Sequence, residues 1–150
     1  MMTLQEISDR LEIQDLLARY SAAIDGRCFD DLDALFTADA VLDYTEMGGI
    51  RADLAGQKAF LKANLPAFVG FQHLAATSTI DLEGDTARVR TICFNPMVLV
   101  DEKHVLFCGM WYRDVMVRTA TGWRISDRHQ DRGWSLDVRT GPRTVLPPAP

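Results

Sequence analysis

From Thr3 to Ile24 the apolar residues Leu4, Ile7, Leu11, Leu16, Leu17, Tyr20 and Ile24 repeat at three- and four-residue steps. This is the period of one stripe of an amphipathic helix. Thr3 and Glu6 have the spacing of a capping box at its start. Asp25-Gly26 stops it, because glycine just past a helix takes the left-handed conformation without penalty. A short second helix is predicted with Phe29, Leu32, Leu35 and Phe36 on one side, then a first strand over Ala40 to Tyr44 and a loop at Met47-Gly48-Gly49. Gly56 to Phe68 reads as a third helix carrying Phe60, Leu61, Leu65 and Phe68, with Pro66 distorting or ending it.

After Gly70 the pattern changes. Gln72–Leu82, Thr86–Val100, His104–Arg118 and Trp123–Leu136 are long segments rich in Val, Ile, Thr and aromatics, the composition of strands. The breaks between them are short, at Gly84-Asp85, Asp101-Glu102-Lys103 and Thr119 to Gly122, so sequential antiparallel hairpins are expected. Residues 1–136 are read as one domain and 137–150 as an extended tail, since TGPRTVLPPAP holds four of the six prolines. Helices followed by strands predict an α+β fold with helices laid across a curved, mostly antiparallel sheet. Such a cone is open at one end and encloses a dead-end pocket.

At 150 residues, 47% hydrophobic and 25% charged, the chain has the balance of one globular domain. No window reaches the roughly 18 apolar residues of a membrane span. The start, MMTLQEISDRLEIQ, lacks the basic and apolar regions of a signal peptide, so a cytoplasmic protein is expected. Cys28, Cys93 and Cys108 show no CxxC spacing and read as reduced packing residues. A net charge of −5 argues against nucleic acid. Arg113, Arg118, Asp114 and Asp127 are read as a charged rim around an apolar patch on the sheet. One face of the strand after Thr86 carries Thr91, Cys93, Asn95, Met97 and Leu99, the other Ile92, Phe94 and Val98. Both are too apolar for water, which predicts a homo-oligomer.

The candidate chemistry lies among polar residues placed to face the pocket. Asp25 closes the first helix on the side of Leu17 and Ser21, as a turn aspartate or as a carboxylate that orients an imidazole. His73 shares a strand face with Ala75, Thr77 and Thr79, small residues that suit a pocket wall. A histidine can exchange a proton near neutral pH, and a carboxylate on its far nitrogen fixes its tautomer. Tyr44 ends the first strand at a rim position, where its hydroxyl could polarise a carbonyl. Tyr20 lies on the apolar helix stripe. Asn95 precedes Pro96 in an apolar strand, as a bulge marker or as a substrate-binding amide. His129 is placed either in the pocket wall opposite His73 or in a surface pair with Asp127 or Asp131. His104, beside a turn, reads as solvated. No HxxxH or HxH spacing, GxGxxG, Walker loop or GxSxG elbow is present, so no metal, nucleotide or other cofactor is expected.

The order of a helix ending in AIDG, then FDDLDALFTADAVLDY, a GQKAFLK helix, QHL and a GMWYRDVMVRTATGWRI hairpin resembles the SnoaL-like proteins of the NTF2-like superfamily. Within it the similarity is nearest to the scytalone dehydratase and hexachlorocyclohexane dehydrochlorinase branch and runs from Leu4 to Leu136. The resemblance implies a cone-shaped α+β barrel with a deep hydrophobic pocket and no cofactor. It implies an Asp-His pair at Asp25 and His73, with the family's strand-end tyrosine at Tyr44. Where the dehydratase has a second tyrosine, this chain has Ile24, and its second pocket histidine falls near Asn95. Its serine and asparagine on the next strand fall near Leu106 and Cys108. The dehydrochlorinase's lysine falls on Tyr20. The pair is kept while the substrate-specific residues differ, so a different substrate is expected.

Two functions follow. One is a cofactor-independent lyase or isomerase for a small hydrophobic substrate, aromatic or polyketide-like, with Asp25 and His73 catalytic and Tyr44, Tyr20, Asn95 and His129 binding substrate. The other is a non-catalytic pocket or structural subunit. The resemblance also implies self-association, with a trimer ahead of a dimer.

Overall fold

In the computed structural model, which describes residues 1–139, helix α1 spans Leu4–Asp25. The Thr3 hydroxyl accepts from the Glu6 N–H and the Glu6 carboxylate accepts from the Thr3 N–H, so both halves of the capping box form. The buried face begins at Asp9 and continues through Ile13, Leu16, Leu17, Tyr20, Ala23 and Ile24. Leu4, Ile7 and Leu11 are exposed, contrary to the predicted stripe. An ion pair sets the rotation of the first turns. The Asp9 carboxylate accepts from Arg118 Nη1 and Nη2 at 2.6 and 2.7 Å and from Trp123 Nε1 at 3.2 Å.

The second helix is a 3-10 segment, Phe29–Ala34, and Phe36 already opens strand β1 (Phe36–Asp43). A 3-10 turn at Thr45–Met47 and the short strand β2 (Arg51–Asp53) lead into helix α2, Leu54–Asn64, capped by the Asp53 carboxylate on the Gly56 N–H. Pro66 lacks an N–H and disfavours helix at Leu65. The chain accordingly passes through a 3-10 turn, and Phe68 opens strand β3 (Phe68–Phe71) instead of closing a helix. Strands β4 (Leu74–Glu83), β5 (Thr86–Leu99), β6 (His104–Thr119) and β7 (Gly122–Arg139) follow as the expected hairpins. Strand β7 therefore takes in residues 137–139, and the rest of the expected tail, 140–150, lies outside the described residues.

The sheet runs β2-β1-β7-β6-β5-β3, with β4 also paired to β5. Only β1 with β7 is parallel, so the sheet is mixed, mostly antiparallel, curved and open. Bulges at Thr77, Ser126 and Gly133 each insert one residue against the partner strand. A bulge increases twist, and it also moves every later side chain to the opposite face. Thr77 (φ 58°) and Thr79 consequently point outward, while Ser78 and Ile80 turn inward. On β7, Trp123 and Ile125 face the core before the bulge, and Arg128 and Gln130 face it afterwards.

Helix α1 covers the concave face, with Ile13, Leu16 and Tyr20 in one core with Tyr112, Met116, Trp123 and Ile125. On the convex face Leu74, Ile92, Trp134 and Leu136 are at least half exposed. The expected charged rim does not form. Asp114 is buried and bidentate with Arg128, Arg118 holds Asp9 and Asp85, and Arg113 holds Asp131. Among the described residues, no helix is long and apolar enough to cross a membrane.

Candidate active site

The end of a helix and a link between strands meet at the wall of the concave face. Asp25 is the last residue of α1, and His73 lies in the link between β3 and β4. One carboxylate fixes both backbone and ring. The His73 N–H donates to Asp25 Oδ2 at 2.9 Å, and His73 Nδ1 lies 2.6 Å from Asp25 Oδ1. An ionised carboxylate can only accept, so Nδ1 carries a proton, and in the neutral imidazole Nε2 holds the lone pair. Asn95 Nδ2 then donates to that lone pair at 3.1 Å. Arg27 steadies the incoming link, with its guanidinium 4.9 Å from the centre of the Phe71 ring and Nη2 donating to the Phe68 carbonyl.

His73 and Asn95 line a cavity of about 370 Å³ between α1, α2 and the sheet. The polar remainder is mainly Tyr20, Tyr44 and Gln130. The apolar walls include Ile24, Phe60, Leu65, Phe68, Met97 and Met110, and Met47-Gly48-Gly49 contribute from the loop after β1. Leu106 and Cys108 also line it. Phe94 and Phe107 stack on each other at 6.0 Å on the convex face, whereas Leu17 and Phe36 belong to the core.

The Tyr20 and Tyr44 hydroxyls lie 2.9 Å apart, so the pair shares one hydrogen and keeps one O–H free. Burial raises the pKa of Tyr20, opposed by the charge of Arg128, and raises that of Tyr44 well above the usual phenol range. Both stay protonated and able to donate. Beneath them the Arg128 guanidinium is sandwiched at 4.0 Å from the Tyr20 ring centre and 4.3 Å from that of Tyr112. Burial pushes the Asp114 carboxyl up, and the positive Arg128 pulls it back. Burial also lifts the Cys93 thiol to about 11, so it remains a packing group at neutral pH.

The structure thus brings His73, Tyr44, Tyr20 and Asn95 together around one cavity, with Asp25 bonded to His73 behind its wall. His129 does not join them. The Ser126 bulge turns it outward, among Asp43 at 3.6 Å, Glu46 at 3.4 Å and Asp131 at 3.2 Å. There the ligand atoms of Glu46, His129 and Asp131 lie within 4.8 Å of one another, but Arg113 already occupies the Asp131 oxygen at 2.6 Å. Gln130 takes the inward place that alternation assigned to its neighbour. Its signal was hidden, because no feature of GWRISDRHQ marks Ser126 as an extra residue.

The SnoaL-like domain family matches residues 5–129. A protein of Mycobacterium tuberculosis described as uncharacterised is 51% identical over 129 residues, covering 85% of this chain and 88% of its own length. A candidate scytalone dehydratase from Novosphingobium aromaticivorans superposes with a TM-score of 0.82 at 21% identity, over 93% of this chain and 94% of that one. The hexachlorocyclohexane dehydrochlorinase of Novosphingobium barchaimii gives 0.80 at 18% identity, over 97% and 99%. At these identities the two structures establish a shared cone fold.

Proposed function

The chain belongs to the SnoaL-like family of the NTF2-like superfamily, and on that footing we propose that it is a cofactor-independent lyase or isomerase acting on a small hydrophobic substrate, aromatic or polyketide-like. The observation that carries this reading is the 2.6 Å contact of His73 Nδ1 with Asp25, which leaves the Nε2 lone pair on the cavity side. In the proposed reaction a carbon acid displaces the Asn95 amide from Nε2, and His73 removes a proton from that carbon. The C–H electron pair moves into the adjacent carbonyl, making an enolate whose oxygen takes the free O–H of the Tyr20–Tyr44 pair. Asp25 stabilises the imidazolium. Return of the proton at another carbon completes an isomerisation; loss of a leaving group completes an elimination.

Elimination is the chemistry named for the Novosphingobium dehydrochlorinase and the candidate dehydratase. General base catalysis contributes roughly 10²–10⁴-fold, so positioning in the apolar cavity must supply the rest. A panel of aromatic and polyketide-like ketones and alcohols tests the reading. Turnover of any member should vanish in His73→Ala while the melting temperature stays within about 2 °C, a shift equivalent to under 1 kcal/mol. Activity that survives the substitution would show that His73 is not the base.

A further inference from the structure

Gln130 is only 7% exposed and lines the cavity, yet among the described residues its carboxamide has no hydrogen-bond partner. Its amide atoms are not sealed from solvent, so a ligand hydroxyl can take the place of water there. Register places the residue far from the base. Gln130 pairs with Tyr112, and Tyr112 with Thr91. Asn95, which donates to His73, lies four residues further along β5. The separation is about 13 Å along the strands and about 10 Å across two strand spacings, before curvature shortens it.

We propose that Gln130 is the distal recognition residue of the pocket, holding an uncharged hydroxyl at the end of the substrate remote from the carbon that His73 deprotonates. The inference rests on the catalytic reading for which end reacts, and on Gln130 itself for the other. Two observations fix the chemistry of the group. Among the described residues no lysine or arginine lines the cavity, so a carboxylate or phosphate there would be desolvated without a counter-charge from them. The amide offers an acceptor and two donors, and a hydroxyl can both donate to Oε1 and accept from Nε2. Between the two ends lie apolar walls such as Phe60, Leu65 and Met110, which suit a ring system. Binding energy gained at Gln130 would hold the reacting carbon against His73.

The test compares the affinities of 6-hydroxy-1-tetralone and 1-tetralone, which share a skeleton and a carbonyl and differ in one distal hydroxyl. Isothermal titration of the full chain is expected to show the hydroxylated ketone binding at least about tenfold tighter, within the range of one well-made buried hydrogen bond. In Gln130→Met, close in shape and apolar, the ratio should fall to about twofold or less, while circular dichroism shows the fold unchanged. Should that variant fail to fold, Gln130→Leu serves in its place. Its side chain neither donates nor accepts, so the ratio should again fall below that of the natural chain. Equal affinities in the natural chain, failure of both ketones to bind, or an undiminished ratio in the folded variant would overturn the proposal. Binding needs no turnover, so this result is separable from the role of His73. His73→Ala should leave the ratio intact, and loss of activity there with equal affinities for the two ketones would sink the Gln130 role alone.

Discussion

Asp9 and Asp114 are both acids inside the fold, and their surroundings drive them in opposite directions. Hydrogen bonds from Arg118 hold the Asp9 carboxyl at about 2, whereas burial raises that of Asp114. A carboxyl depressed on folding stabilises the native state above its ordinary value near 4 and loses that contribution as pH falls through about 2. Asp9→Asn should therefore lower stability at pH 6 by about 1.5–3 kcal/mol, the range for hydrogen bonds to a charged group. The gap to the natural chain should narrow by pH 2.5. Urea midpoints at the two values check it, and a gap that does not change with pH would mean that Asp9 acts through packing alone. The residues of the candidate site were legible in sequence where position and type agreed. Asp25 stands at a helix stop, His73 among small residues, Tyr44 at a strand end and Asn95 in an apolar strand. Asp9 and Arg128 were not legible, because a buried charge is recognisable only once its partner, 109 or 14 residues away, is known.

At the level of elements, the four long strands and α1 followed from periodicity, and the errors cluster where periodicity fails. Strands β2 and β3, of three and four residues, are too short to show a period of two. Each bulge reverses alternation, so a period of two leaves His129 open between pocket wall and surface pair, and the Ser126 bulge decides for the surface pair with Asp131. The Gly133 bulge is the tightest of these points. A Cβ there would lie 2.8 Å from the Gly109 carbonyl oxygen and 3.0 Å from the Trp111 ring. Gly133→Ala must shift backbone, and overpacking of that kind costs about 1–3 kcal/mol. Thermal melting should show a midpoint lower by about 3–10 °C. Gly70→Ala, with nothing within 4 Å of the added carbon, is the control and should melt within about 2 °C of the natural chain. Equal midpoints for the two variants would show that the bulge relaxes without strain.

The whole molecule pairs a filled concave side with an uncovered convex one. Leu74, Ile92, Trp134 and Leu136 are between 50% and 61% exposed, and Phe94 packs against Trp134 at 6.0 Å, so the convex face offers an aromatic patch to water. Patches of this kind mark association surfaces. We expect a homo-oligomer, a trimer ahead of a dimer, held by this patch without the charged rim, since Arg113, Arg118 and Asp114 pair within the chain. Sedimentation at micromolar concentration should give a multiple of the 16.8 kDa chain mass, and Trp134→Glu should reduce it to the monomer. A monomeric natural chain would contradict the assignment. The concave side carries the central claim, that His73 held by Asp25 takes protons from carbon. Deuterium exchange tests it without knowledge of the natural substrate. In D₂O, proton NMR follows loss of the hydrogens beside the carbonyl of 1-tetralone. The natural chain should accelerate that loss well above buffer, and His73→Ala and Asp25→Asn should slow it by roughly 10²–10⁴-fold. Exchange no faster than in buffer, or equally fast in His73→Ala, would contradict it.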